Sequence, residues 1–171
     1  INLEIKKEDF AFLNLLEGKT RVIVMSRELS EDEKKAYERE TNLDWLPARF
    51  AADAVVFIVP KNSTRETITM EEIKQELGND QKNIIFDGTN SSNLNFVAQK
   101  LSTTPDKLQF SIINGNKNLI EQLDKFPAKI GAISLNTISR PYDPESETLR
   151  NSVKILKVIK DNKSYEPRLD N

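Results

Sequence analysis

The feature that most constrains this chain is an alternation, without internal sequence repeat, of short apolar runs of strand character, polar turns and amphipathic segments opened by helix-capping residues. The clearest case is Ile84-Ile85-Phe86 followed by Asp87-Gly88-Thr89-Asn90-Ser91-Ser92. Beyond the turn, Leu94, Val97, Ala98 and Leu101 recur at helical spacing. Asn90, Ser91 and Ser92 therefore sit where a helix starts. Free N–H groups of a first helical turn and the positive end of the helix dipole favour an oxyanion, and small hydroxyl side chains add donors without blocking access. The same residues also serve as plain caps, so the segment alone leaves both roles open.

Other runs repeat the theme. Glu8 to Glu17 carries Phe10, Leu13 and Leu16 on one helical face, with Gly18 placed as a left-handed stop. Val22-Ile23-Val24-Met25 has the continuous apolar character of a strand covered on both faces, and Ser26-Arg27 follows at its carboxyl end. Ser30-Glu31-Asp32-Glu33 and Thr69-Met70-Glu71-Glu72 are capping boxes. The first predicts a helix to about Glu40, and the second a helix stopped by Gly78. Ala51 to Val59 reads as a central strand ended by Pro60. Asn116 to Lys125 reads as a helix with Leu119, Ile120 and Leu123 inward. Ile130 to Leu135 is a strand, Arg140 to Ser152 a charged loop with Pro141 and Pro144, and Val153 to Val158 a final strand. This alternation predicts an α/β fold with mostly parallel sheets. A composition change near residues 60 to 67 divides it into a partial first lobe, 1–60 plus 137–171, and a second lobe, 61–136. In such folds ligands bind outside strand carboxyl ends, where Ser26-Arg27 and the 87–92 turn both fall.

Composition narrows the chemistry. The 171 residues contain no cysteine and no histidine, which removes disulfides, thiolate or imidazole metal ligands and the catalytic triads built on them. A net charge of -2 without a dense Lys/Arg run offers no footprint for nucleic acid. No apolar run is long enough to span a bilayer. Glu71-Glu72 and Asp32-Glu33 lie on first turns of helices, where they complement the dipole, and no loop has calcium spacing, so neither metal nor cofactor is expected. A Ser91 or Ser92 nucleophile would have no histidine base, leaving Lys100 or Lys107 to approach in the fold. Trp45 reads as an anchor beneath a loop, and Asp53 as a strand-edge carboxylate satisfied by backbone N–H groups, or one that orients a hinge or meets ligand. Arg140 and Tyr142 flank Pro141 near a strand end.

Taken in order, Val24-Met25-Ser26-Arg27-Glu28-Leu29, Ala52-Asp53-Ala54-Val55-Val56-Phe57-Ile58-Val59, Ile68 to Ile73, Asp87 to Phe96 and Ile130 to Asn136 resemble the blocks of substrate-binding proteins of bacterial phosphate ABC transporters. The resemblance implies a two-lobed periplasmic-binding-protein fold that closes on a tetrahedral oxyanion, without catalysis, and hands it to a membrane permease. It implies a periplasmic or cell-surface location, with a lipid anchor before Ile1. By position, Asn90, Ser91 and Ser92 stand for the family's Ser-Gly-Thr, and Ser26 and Arg27 for the loop after an early strand. Two departures stand out. The family's arginine ahead of Ser-Gly-Thr is replaced by Phe86 and Asp87, whose carboxylate repels a dianion unless it accepts a ligand proton. The family's first strand and closing helices are not seen, so the chain reads as a fragment or reduced relative with an exposed sheet edge open to self-association. The alternative is a ligand-free interaction or scaffold domain that keeps the binding-protein fold.

Overall fold

The computed structural model describes residues 3–49, 53–88 and 92–167. Contacts divide the chain into two compact units, Ile1–Ala52 and Asp53–Asn171. Residues 137–167 thus pack in the same unit as 61–136.

Among the described residues the first unit holds two helices, α1 (Glu8–Leu16) and α2 (Glu31–Thr41). The α1 stop is a Schellman motif around Gly18, whose φ is +68°: Gly18 N–H donates to Leu15 O and Lys19 N–H to Asn14 O. Its inward face is Phe12, not the expected Phe10 and Leu13, both of which are exposed. Helix α2 begins with the expected capping box, Glu33 N–H on Ser30 Oγ at 3.2 Å and Ser30 N–H on Glu33 Oε2 at 2.8 Å. Trp45 packs edge-on against Tyr37 of α2, ring centroids 5.0 Å apart. Residues Val22–Met25 form no strand. Val22 and Val24 are 76% and 65% exposed, because no neighbouring strand among the described residues pairs with them.

The second unit is built on a five-stranded sheet in the order β4-β3-β5-β1-β6, comprising β1 (Val55–Pro60), β3 (Ile84–Asp87), β4 (Ser111–Ile113), β5 (Ile130–Ser134) and β6 (Val153–Ile155). Strand β3 runs parallel to β4 and β5, while β1 is antiparallel to β5 and β6, so the sheet is mixed. Side chains alternate cleanly between its faces. Phe57, Val59, Ile84, Phe86, Ile130 and Ala132 meet Leu94 and Val97 of α4 (Ser92–Lys100) and Ile73 of α3 (Met70–Glu76). Val56, Ile58, Ile85 and Ile133 meet Leu119 and Leu123 of α5 (Asn116–Lys125), Ile138 of α6 (Leu135–Ser139) and Leu149 of α7 (Pro144–Ser152). Coverage on both faces is why β1 and β5 read as unbroken apolar runs.

Two sequence expectations are corrected here. The segment read as a loop contains α7, with Asp143 as N-cap accepting from Glu145 N–H and Pro144 at the first helical position, where its missing N–H costs nothing. The single final strand is two. After β6 the chain leaves this sheet at the buried Leu156, and β7 (Lys157–Lys160) joins a second sheet, β2-β7-β8, with β2 (Thr67–Thr69) parallel and β8 (Lys163–Tyr165) antiparallel to it. Asp161 and Asn162, φ +49° and +60°, make the left-handed two-residue turn of that hairpin.

Candidate functional site

Because β3, β4 and β5 are parallel, their carboxyl ends open on one edge of the sheet. The three helices that start there, α4, α5 and α6, carry no acidic residue in their first turns, whereas α1, α2, α3 and α7 all do. The positive ends of α4 and α5 are thus left without a carboxylate in the same turn, which suits an anion, whereas the first turn of α6 meets the carboxylate of Asp53. Helix α4 opens at Ser92, in the region where the sequence predicts a helix start, and Ser92 is buried. Asp87, half-buried, closes β3 opposite Ile113. Asn90 and Ser91 lie outside the described residues.

Three neighbours on this edge were not singled out from sequence as anion ligands. Gly88 continues the ladder by donating to Ile113 O at 3.0 Å. It leaves no room for a Cβ, which would collide with Asn114 Oδ1 and Ile112 Cγ2, so Asn114 is pressed against the turn that leads into α4. The signal was present in the sequence as an Asn-Gly pair directly after an apolar run. Ser134 ends β5, and Asp53, brought alongside by antiparallel β1, accepts from Ser134 Oγ, from Ala54 N–H at 2.8 Å and from Asn136 N–H at 3.1 Å. Asp53 is therefore satisfied by local donors and fixes the entry to β1 against the start of α6. Arg140 pairs with Asp143 at 3.6 Å, and Tyr142 is fully exposed.

Ser26 and Arg27 lie in the other unit and are tightly engaged. Ser26 N–H and Oγ both donate to Glu8 Oε1, at 3.0 and 2.9 Å. Arg27 Nε donates to Glu8 Oε2 at 3.1 Å, and its Nη1 and Nη2 fork onto Glu33 at 2.7 and 2.9 Å. The Arg27 side chain is only 6% exposed and that of Glu8 only 9%. Hydrogen bonding to Glu33 holds the Arg27 guanidinium above its usual range. Burial pushes the Glu33 carboxyl up, but hydrogen bonds from Arg27 and Ser30 outweigh it and leave Glu33 below the ordinary carboxylate range. Among the described residues no cluster of carboxylates could hold a metal ion.

The sequence profile of the PBP superfamily domain matches residues 6–170, nearly the whole chain. The chain belongs to the PBP superfamily. Solved structures of similar fold include the PstS protein of Borrelia burgdorferi (21% identity, TM-score 0.56, covering 94% of this chain and 64% of that one). Another is an ABC-type phosphate transport receptor from Vibrio cholerae (16%, TM-score 0.54, covering 88% and 61%). A third, from Clostridium perfringens, is assigned as a phosphate ABC transporter substrate-binding protein and holds bound phosphate (18%, TM-score 0.56, covering 89% and 61%). This PBP superfamily chain thus spans 61–64% of the length of these structures. No curated protein matches it at the level of sequence. At these identities the structural likeness carries the fold, which is of the α/β class expected from the sequence, with sheets that are mixed rather than mostly parallel.

Proposed function

We propose that this chain belongs to a solute-binding protein that captures phosphate or a similar oxyanion outside the cytoplasm and delivers it to an ABC-transporter permease, by binding alone and without catalysis. The supporting observation is the start of α4 directly behind β3, on a sheet edge where α4 and α5 carry no acidic residue in their first turns. In this reading the first-turn N–H groups with Asn90, Ser91 and Ser92 hold the anion. Asp87 accepts a hydrogen bond from a protonated phosphate oxygen. Ser26 and Arg27, in the other unit, can meet an anion only if Glu8 and Glu33 release them. A periplasmic or cell-surface protein, lipid-anchored ahead of residue 1, fits this role.

Calorimetric titration with phosphate, with sulfate as competitor, is the test. Saturable micromolar binding is expected, and Ser91→Ala should weaken it about tenfold or more, the scale of a hydrogen bond to a charged group. Asp87→Asn should lose discrimination against sulfate, which brings no proton at neutral pH for a carboxylate to accept. Absence of heat with either anion would sink the reading. It would favour instead a ligand-free interaction domain on the same fold, for which one observation speaks: Ser26 and Arg27 already donate to carboxylates of the chain itself.

A further inference from the structure

An ordinary ion pair needs only the guanidinium, yet the Glu8 carboxylate is gripped by three donors on both of its oxygens. Oε1 takes the main-chain N–H and the hydroxyl of Ser26, and Oε2 takes Arg27 Nε. Charge-assisted bonds from a backbone N–H, a hydroxyl and a guanidinium are a donor set suited to an oxyanion. The carboxylate is buried and arrives on the first residue of α1, eighteen positions upstream of Ser26. The remaining fork of Arg27 is taken by Glu33, so two carboxylates already face one guanidinium. A further anion added beside them would meet net negative charge.

We propose that the Ser26–Arg27 turn is an oxyanion receptor whose resident ligand is the chain's own Glu8 carboxylate, a tethered anion that keeps free carboxylate or phosphate out of this turn. A tethered group acts at an effective concentration of millimolar or above, so a micromolar free anion does not displace it. The inference deepens the proposed function as regards Ser26 and Arg27, and rests on that reading for its consequence: while Glu8 holds this turn, anion capture falls to the start of α4 alone.

Chemical rescue tests this directly. Thermal unfolding of the full chain is followed for wild type, Glu8→Ala and Glu8→Ala with Ser26→Ala, in sodium formate and in sodium chloride of equal ionic strength. Formate presents the same two oxygens and fits the space left by the side chain. Glu8→Ala should unfold earlier than wild type in chloride and regain roughly 3–6 °C in formate, the response expected when a vacated site is filled by mass action. Wild type and the double variant should gain nothing from formate over chloride. Glu8→Gln, which keeps a neutral oxygen for Ser26, serves if Glu8→Ala does not fold in chloride: it should lie between the two and gain less from formate. Equal responses to the two salts in the Glu8 variant that folds would overturn the proposal. The phosphate titration of the wild-type chain is read separately. A lost rescue with phosphate heat intact refutes the tethered ligand alone, and a clean rescue without phosphate heat refutes phosphate capture alone.

Discussion

Arg27→Ala is expected to destabilise the Ile1–Ala52 unit by about 3–5 kcal/mol, the cost of removing one member of a buried ionic group and leaving the others uncompensated. The substitution would leave the buried Glu8 and the partly buried Glu33 without their cation, and Ser26 alone would still donate to Glu8. Arg27→Lys keeps the charge but not the planar fork that serves Nε, Nη1 and Nη2 at once, so it should recover only part of the loss. Denaturant unfolding monitored by the fluorescence of Trp45, which packs on α2 through Tyr37, reads this unit directly. A loss below about 1 kcal/mol, the scale of an exposed pair, would show that the triad does not act as a buried group. The pH dependence follows in sign. Because Glu33 is held below its ordinary value in the folded chain, its contribution is complete above the unfolded carboxylate range and is lost as pH falls through the lowered folded value. Wild type should therefore show an acid limb in its stability curve below about pH 4, and Arg27→Ala should show a much shallower one.

The triad also shows what sequence carried and what it did not. An arginine after an apolar run reads equally as an anion ligand or as a partner for a nearby carboxylate. The capping box at Ser30 was legible, and it places Glu33 six residues from Arg27. Glu8 was not legible, since nothing in its own helix marks a contact nineteen residues downstream. Local signals served well wherever the chemistry is local: both capping boxes, the Gly18 stop, the strand at 84–87 and the helix from 92 form as read. They failed where the outcome depends on a partner. Val22–Met25 has strand composition, but a strand exists only beside another, and among the described residues none is offered. The 140–152 segment reads as loop from its charge and two prolines, although Asp143 ahead of Pro144 is a helix cap. The break at Leu156 was hidden because the apolar run continues unchanged while the chain passes from one sheet to the other.

Gly131 is the second position where a single change should have a large effect, and its reason lies in the sheet rather than in any turn. It is the second residue of β5, opposite Ile58 of β1 on one side and Ile85 of β3 on the other. A Cβ built there would stand 2.7 Å from Ile58 Cγ1, 3.0 Å from Ile58 Cδ1 and 3.5 Å from Leu119 Cδ1. The fully buried Ile58 side chain therefore fills the space that a residue at 131 would occupy beneath α5. Gly131→Val should cost about 3 kcal/mol, at the upper end for overpacking of a close-packed core. Ile58→Ala alone should cost about 2–5 kcal/mol through the cavity it leaves. If the two side chains claim one volume, the double variant Ile58→Ala/Gly131→Val should be more stable than the sum of the single losses predicts, by about 1–3 kcal/mol of coupling. Equilibrium unfolding of the four proteins closes the cycle. Additive losses would mean that the strain of a valine at 131 is relieved elsewhere, and that Ile58 does not set the requirement for glycine in β5.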